Sequence, residues 1–205
     1  AAEEDCAFTA RLEKCSCPKH KKLRTTVKTV NFGLAYGMGA NKLADTVSIT
    51  KKEAEQLIKD YFEVFPKIGD FLDTLGEFGT NNGYITTFKP FKRRRWFTTW
   101  YPKIYTNKGA EYSSIERASK NSPIQGSAAD MTKLALIYLY EEIQSKNLPV
   151  KIVMTVHDQI DTICKEEYAE QWQAKMTELM EKAAKVIIPS GLLKAETNIS
   201  TTWEK

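Results

Sequence analysis

The chain has 205 residues, 42% of them hydrophobic, with 30 basic against 26 acidic side chains and a net charge of +4. That is enough apolar material for one large cored domain or two small ones. The mild positive balance permits a nucleic-acid partner without demanding one. No apolar run reaches the ~18 residues of a membrane span, and no signal peptide is evident, so the expectation is an intracellular, cytoplasmic protein with no membrane partner.

The first residues, AAEEDCAFTA, lack an initiating Met and carry no element signal, as expected of the C-terminal part of something longer. Cys6, Cys15, Cys17 and Cys164 show no disulfide framework and read as free thiols. The cluster CSCPKH groups Cys15, Cys17 and His20, with Cys6 as a candidate fourth zinc ligand, although Cys-x-Cys is an uncommon zinc spacing.

In chain order, periodicity predicts a helix over about residues 21–34, closed by the cluster Gly33, Gly37 and Gly39. Thr50 with Glu53 reads as a capping box for EAEQLIKDYFEVF, which stops at Pro66. FLDTLGEF is helical and ends in the turn signal GTNNG. GYITTFKPFKRRRWF looks extended. Helix returns in EYSSIERASKN and continues in SPIQGSAADMTKLALIYLYEEIQ, with a fresh start at Ser-Pro. KIVMTV and IDTIC flank HDQ as an antiparallel hairpin, and EEYAEQWQAKMTELMEKAAKV is a last amphipathic helix. The expected fold class is α+β: a helical half, then helices packed on a small antiparallel sheet.

Three groups of side chains carry candidate chemistry. In RTTVKTVNFGLAYG, Arg24, Lys28, Phe32 and Tyr36 recur every four residues and share one side of a helix. Cations at a helix N-terminus oppose the macrodipole, and with free backbone N–H groups they would form an anion site. From Arg24 to Tyr36 is ~18 Å of helix axis, long enough for a nucleoside triphosphate. A solvated basic turn followed by core aromatics explains the spacing equally well. In VMTVHDQID, His157 and Asp158 stand at a hairpin tip behind an apolar, and therefore buried, strand; a fixed carboxylate there suits a divalent metal in phosphoryl transfer, while Asp is also a common turn residue. In ERASKNSPIQG, Arg117, Asn121 and Gln125 form a row of donors that could follow the minor-groove acceptors of a duplex, or simply face solvent.

Taken together, these segments resemble the family A DNA polymerases, of the DNA polymerase I type. RTTVKTVNFGLAYG is similar to that family's fingers helix, ERASKNSPIQGSAAD to its Arg, Asn and Pro-Ile-Gln-Gly segment, and VHDQ to its Val-His-Asp-Glu motif; GYITTFKPFKRRRWF is loosely similar to its Arg-rich hairpin. The resemblance runs from about Asp5 to Trp203. It implies a partial right-hand fold, with fingers over 1–115 (including an N-terminal remnant, 1–20) and the C-terminal part of the palm over 116–205. It further implies template-directed DNA synthesis from dNTPs on a primer–template. Arg24 and Lys28 would hold the triphosphate, with Lys28 a candidate acid for the departing pyrophosphate. Phe32 would lie against sugar and base, Tyr36 near the template position, and Asp158 would bind Mg2+ in a two-metal site. His157 would sit near the primer terminus, with Arg117, Asn121 and Gln125 along the primer–template. Arg93, Arg94 and Arg95, with Lys89 and Lys92, form a candidate phosphate-contacting cluster. Phe rather than Tyr at position 32 is, in this family, linked to poor acceptance of dideoxynucleotides.

Three departures qualify the resemblance. Gln159 stands where the family has Glu, and a His expected upstream of the fingers helix is replaced near Cys6. The family's Asp-Tyr-Ser-x-Ile-Glu motif, with its other metal-binding Asp, does not occur in these residues. The isolated chain is therefore expected to catalyse little, and to need the thumb and the rest of the palm from the same or another polypeptide. The alternative is a non-catalytic module that binds primer–template.

Overall fold

A computed structural model describes residues 18–104 and 109–203. In chain order the elements are α1 (Pro18–Ala35), α2 (Ala40–Val47), α3 (Lys51–Val64), α4 (Pro66–Asn82), β1 (Tyr84–Thr86), β2 (Arg94–Trp96), α5 (Ala110–Ser145), β3 (Val150–Val156), β4 (Gln159–Cys164), a 3-10 turn (Glu166–Tyr168) and α6 (Ala169–Ile187). Each sheet is a two-stranded antiparallel pair, β1 with β2 and β3 with β4. This is an α+β chain with small antiparallel sheets. It forms two compact units: residues up to Gly83 together with Thr99–Asn121, and Tyr84–Thr98 together with the residues from Ser122 onward. Among the described residues no helix is long and apolar enough to cross a membrane.

In the first unit α1 buries Val30 and Leu34 against Leu43 and Ala44 of α2 and Ala54 of α3. The eight-residue α2 has no counterpart in the sequence reading. Its signal is short: Leu43, Ala44 and Val47 on one side of ANKLADTV. The capping box is present. Glu53 N donates to Thr50 Oγ1 at 3.3 Å, and the Glu53 carboxylate accepts from Thr50 N at 2.8 Å. Pro66 not only stops α3 but opens α4, a position where its missing N–H costs nothing.

α4 runs through the predicted turn residues Thr80–Asn82 and stops one residue later, at Gly83, whose φ is +73°. A Cβ at Gly83 would lie 2.6 Å from Trp100 Cδ2, and the Trp100 indole N–H donates to Thr80 O at 2.7 Å. Gly76 permits a second close approach: its Cβ would sit 2.9 Å from Lys120 Cε. Lys120 pairs with Asp73 at 3.1 Å and Glu116 at 3.0 Å. Burial works against its charge, but the bonds to Glu116 and Asp73 outweigh that and hold it above its ordinary value.

The predicted restart at Ser-Pro does not occur. A single α5 passes through Pro123, which is fully buried. A mid-helix proline removes one backbone donor, and here packing around the buried ring outweighs that loss. The boundary between the two units falls at Asn121/Ser122, just before the proline.

In the second unit Ala135, Leu139 and Ile143 of α5 and Trp172, Met176, Leu179 and Ala183 of α6 close over Val150 and Ile160 of the β3–β4 pair. The Trp172 indole N–H donates to Thr162 Oγ1 at 2.8 Å, fixing α6 to β4. The other side of this hairpin is open. Val153 is 51% exposed, and Met154, Val156 and Ile163 are exposed with it. The expectation of a buried strand behind the tip is thus overturned: KIVMTV is apolar on both faces, but helices cover only one. A register shift between Ile152 and Met154 leaves Val153 without a cross-strand partner.

Candidate nucleotide and primer–template site

On α1, Arg24 and Lys28 are exposed, Phe32 is 58% exposed and Tyr36 is half-buried, while Val30 and Leu34 take the core side. The Phe32 and Tyr36 rings stack with centroids 6.2 Å apart and planes 26° from parallel. The helix begins at Pro18, so Arg24 and Lys28 lie in its second and third turns. The macrodipole acts within the first turn. The expected anion site of cations plus free backbone N–H groups is therefore corrected: any anion near Lys28 meets side-chain charge, not the helix end.

The loop after α1 draws a second group to the same place. Met38 N donates to Gly33 O at 2.8 Å, and Gly37 has φ +72°. A Cβ at Gly37 would lie 3.0 Å from Arg117 Cγ. Glycine thus lets the Arg117 stem pack against the end of the helix that carries Phe32 and Tyr36. Asn121, one turn on, is half-buried, and its Oδ1 is buried without a partner among the described residues. Gln125 is exposed and belongs to the second unit.

His157 and Asp158 are the two turn residues between β3 and β4, both exposed, with His157 at φ +56°. Positive φ is uncommon outside glycine, and His is among the residues enriched there. Gln159 pairs with Val156 in the register, and its amide donates to Asp161 Oδ1 at 2.8 Å. Asp161 Oδ2 is buried with no partner among the described residues. Gln159 thus engages the one carboxylate near enough in sequence to accompany Asp158. No group of three or more His, Cys, Asp or Glu side chains converges among the described residues. Cys6, Cys15 and Cys17 of the zinc expectation lie outside them.

The three arginines of β2 and its approach do different things. Arg93 turns inward: Nε and Nη2 donate to Asp130 Oδ1 at 3.1 and 3.0 Å, and Nη2 also reaches Gly126 O at 3.3 Å. Arg95 Nη1 donates to Ser122 Oγ at 2.6 Å, and its guanidinium lies 5.9 Å from the Phe97 ring centre. Arg94 lies over Tyr84 and Trp96, 5.0 and 5.6 Å from their ring centres.

The sequence reading missed what the rest of SPIQGSAAD does. A Cβ at Gly126 would lie 2.6 Å from Thr87 Cγ2, and Ser127 Oγ accepts from Phe88 N at 2.9 Å. Gly126, Ser127 and Asp130 therefore seat the β1–β2 hairpin on α5. Small, hydroxyl and acidic residues at spacings of one and three were the available signal, but nothing in the sequence named their partners.

The chain matches the profile of DNA polymerase family A over residues 8–205. It is 35% identical over 182 residues to a thermostable DNA polymerase I from Thermus filiformis, covering 89% of this chain and 20% of that protein. It is 40% identical over 139 residues to DNA polymerase I from Caldicellulosiruptor bescii, covering 68% of this chain and 16% of the relative. Among solved structures it is similar to the POL domain of Pol1 from M. smegmatis in complex with DNA primer–template and dNTP. That match has a TM-score of 0.71 and 32% identity, covering 79% of this chain and 28% of the other. The chain belongs to the family A DNA polymerases, with a partial polymerase right-hand fold. It spans about a fifth of the length of the curated relatives it matches.

Proposed function

We propose that this chain supplies the nucleotide-binding fingers helix and one metal-binding carboxylate for template-directed DNA synthesis. The single observation that carries this is the α1 face: two exposed cations, Arg24 and Lys28, leading to the stacked pair Phe32–Tyr36, with the Arg117 stem against its end. Charge for a triphosphate and rings for sugar and base follow one another on one rigid element. Arg24 and Lys28 hold the phosphates of the incoming dNTP, and Phe32 lies against its sugar and base. As the primer 3′-hydroxyl loses its proton to water and its oxygen bonds to the α-phosphorus, the bond to pyrophosphate breaks, and Lys28 gives that leaving group a proton. Arg117, Asn121, Gln125 and His157 contact the primer–template, and Arg94 and Arg95 its phosphates. Arg93, bonded to Asp130, holds the hairpin that carries them.

Asp158 fits a magnesium site only in part: it is an exposed carboxylate on a two-residue turn, with no converging group of three ligands among the described residues. Mg2+, when bound, neutralises charge on the phosphates and activates the 3′-hydroxyl. The remaining ligands then come from the other palm carboxylates, on the same or another polypeptide, and the 205-residue chain alone extends primers poorly. The same function would place it in the cytoplasm with its DNA.

One observation favours the non-catalytic alternative: where the family has Glu, the neutral Gln159 brings no carboxylate and its amide instead bonds Asp161 Oδ1. The deciding experiment is primer–template binding with and without the matching dNTP. Tightening by the correct dNTP, lost in Lys28→Ala, is expected of the polymerase reading; affinity indifferent to dNTP would leave a plain DNA-binding module.

A further inference from the structure

The outer face of the β1–β2 hairpin groups two aromatic rings and a guanidinium. Tyr84 and Trp96 are direct cross-strand partners, with ring centres 5.0 Å apart. Arg94, two residues before Trp96, shares their face and lies over both rings. The opposite face points inward: Ile85 is buried and Arg93 is spent on Asp130. A tryptophan carries 150–250 Å² of surface whose burial is strongly favourable, yet Trp96 stays 62% exposed. Tyr84 and Arg94 cover only part of the ring and leave the rest of its surface to water.

Charge identifies the occupant. Residues 84–98 contain Lys89, Lys92, Arg93, Arg94 and Arg95 and no Asp or Glu. A protein ligand would bring mixed charge to this face, whereas a polyanion with flat apolar groups matches it throughout. Within a duplex the bases are stacked on one another and cannot offer a ring face, but an unpaired strand can.

We infer that Tyr84, Arg94 and Trp96 bind single-stranded nucleic acid, an unpaired base stacking on the Trp96 indole and the neighbouring phosphate held by Arg94. Ring contact holds the guanidinium in a fixed plane while leaving N–H donors for phosphate oxygens. Stacking is indifferent to base identity, so the site takes any sequence. The site goes beyond nucleotide binding by α1, and resting on the polymerase reading only for the strand's identity (unpaired template), it can be tested without catalysis.

The test is fluorescence anisotropy of a labelled oligo-dT of about 12 nucleotides, and of a blunt duplex of equal length, against the 205-residue chain. Trp96→Ala is expected to weaken oligo-dT binding by roughly 5- to 100-fold, with Trp96→Phe recovering most of it and duplex binding little changed. Arg94→Ala is expected to weaken oligo-dT and reduce the salt slope by about 0.7, one phosphate's share on a single strand. Oligo-dT binding unchanged in Trp96→Ala, an equal loss on duplex, or no oligo-dT binding by the parent would each overturn the site. Thermal unfolding of each variant separates lost folding from lost contact; a Trp96→Ala chain that unfolds early, with Trp96→Phe binding no better, also counts against it. Failure of the polymerase reading looks different: dNTP would then not tighten primer–template binding, whatever stands at position 96.

Discussion

Gln159 and Asp161 lie two residues apart on one face of β4, and the amide of the first donates to the carboxylate of the second at 2.8 Å. A glutamate at position 159, as the family resemblance would have it, would face Asp161 with like charge. Gln159→Glu should therefore lower stability by about 2 kcal/mol at neutral pH. Adding Asp161→Asn should recover most of the loss, because it removes the like charge. Urea unfolding of the parent, the single and the double variant at pH 7 checks both magnitude and direction; no recovery in the double variant would show that repulsion is not the cause.

Arg93 and Arg94 should separate cleanly. Arg93→Ala leaves Asp130, only 8% exposed, without its guanidinium, at a cost of about 2 kcal/mol, discounted because Arg93 is itself half in solvent. Arg94→Ala removes an exposed side chain and should stay within about 0.5 kcal/mol of the parent. Chemical unfolding of the two variants side by side measures the contrast, and Asp130→Ala combined with Arg93→Ala should cost less than the sum of the single changes.

Gly83→Ala meets two penalties at once. Its φ of +73° disfavours any side chain, and the new methyl would enter the Trp100 ring at 2.6 Å. About 3 kcal/mol is expected. Gly39→Ala, where a Cβ meets nothing within 4 Å, is the control. Similar melting temperatures for both would contradict the packing described for α4.

Two groups make the stability of the first unit depend on pH. The Thr50 hydroxyl, and after it the Thr50 N–H, hold Glu53 below its ordinary value of 4.5. That contribution is present above pH 4.5 and is lost as pH falls further and the carboxylate protonates. Lys120 is held above 10.5, so its contribution is complete below that value and disappears as pH rises beyond it. Stability of Glu53→Gln should converge on the parent in acid, and that of Lys120→Met should converge in strong alkali.

Phe32 offers a functional test. With the rest of the palm supplied, Phe32→Tyr should raise dideoxynucleotide use relative to deoxynucleotide by about tenfold, or ~1.4 kcal/mol of discrimination. Competitive incorporation of the two nucleotides by parent and variant measures it.

Local rules made much of the fold legible in the sequence. The capping box at Thr50 and Glu53, the glycine that ends α4 and the hairpin turn at His157 and Asp158 each depend on residues close in the chain. What escaped depends on distance. Pro123 looked like a helix start because its local meaning is to break, and only burial of its ring explains why α5 continues. The role of Arg93 needed Asp130, 37 residues away, to be seen. KIVMTV looked buried because periodicity reports apolarity, not which face is covered.

The order in which the two units are threaded has a practical consequence. The chain leaves the first unit after Gly83, returns to it at Thr99 and leaves again after Asn121. No single cut can then yield both halves whole: cleavage at 83/84 strips the first of residues 99–121, and cleavage at 121/122 separates the Arg-rich hairpin from its seat at Gly126, Ser127 and Asp130.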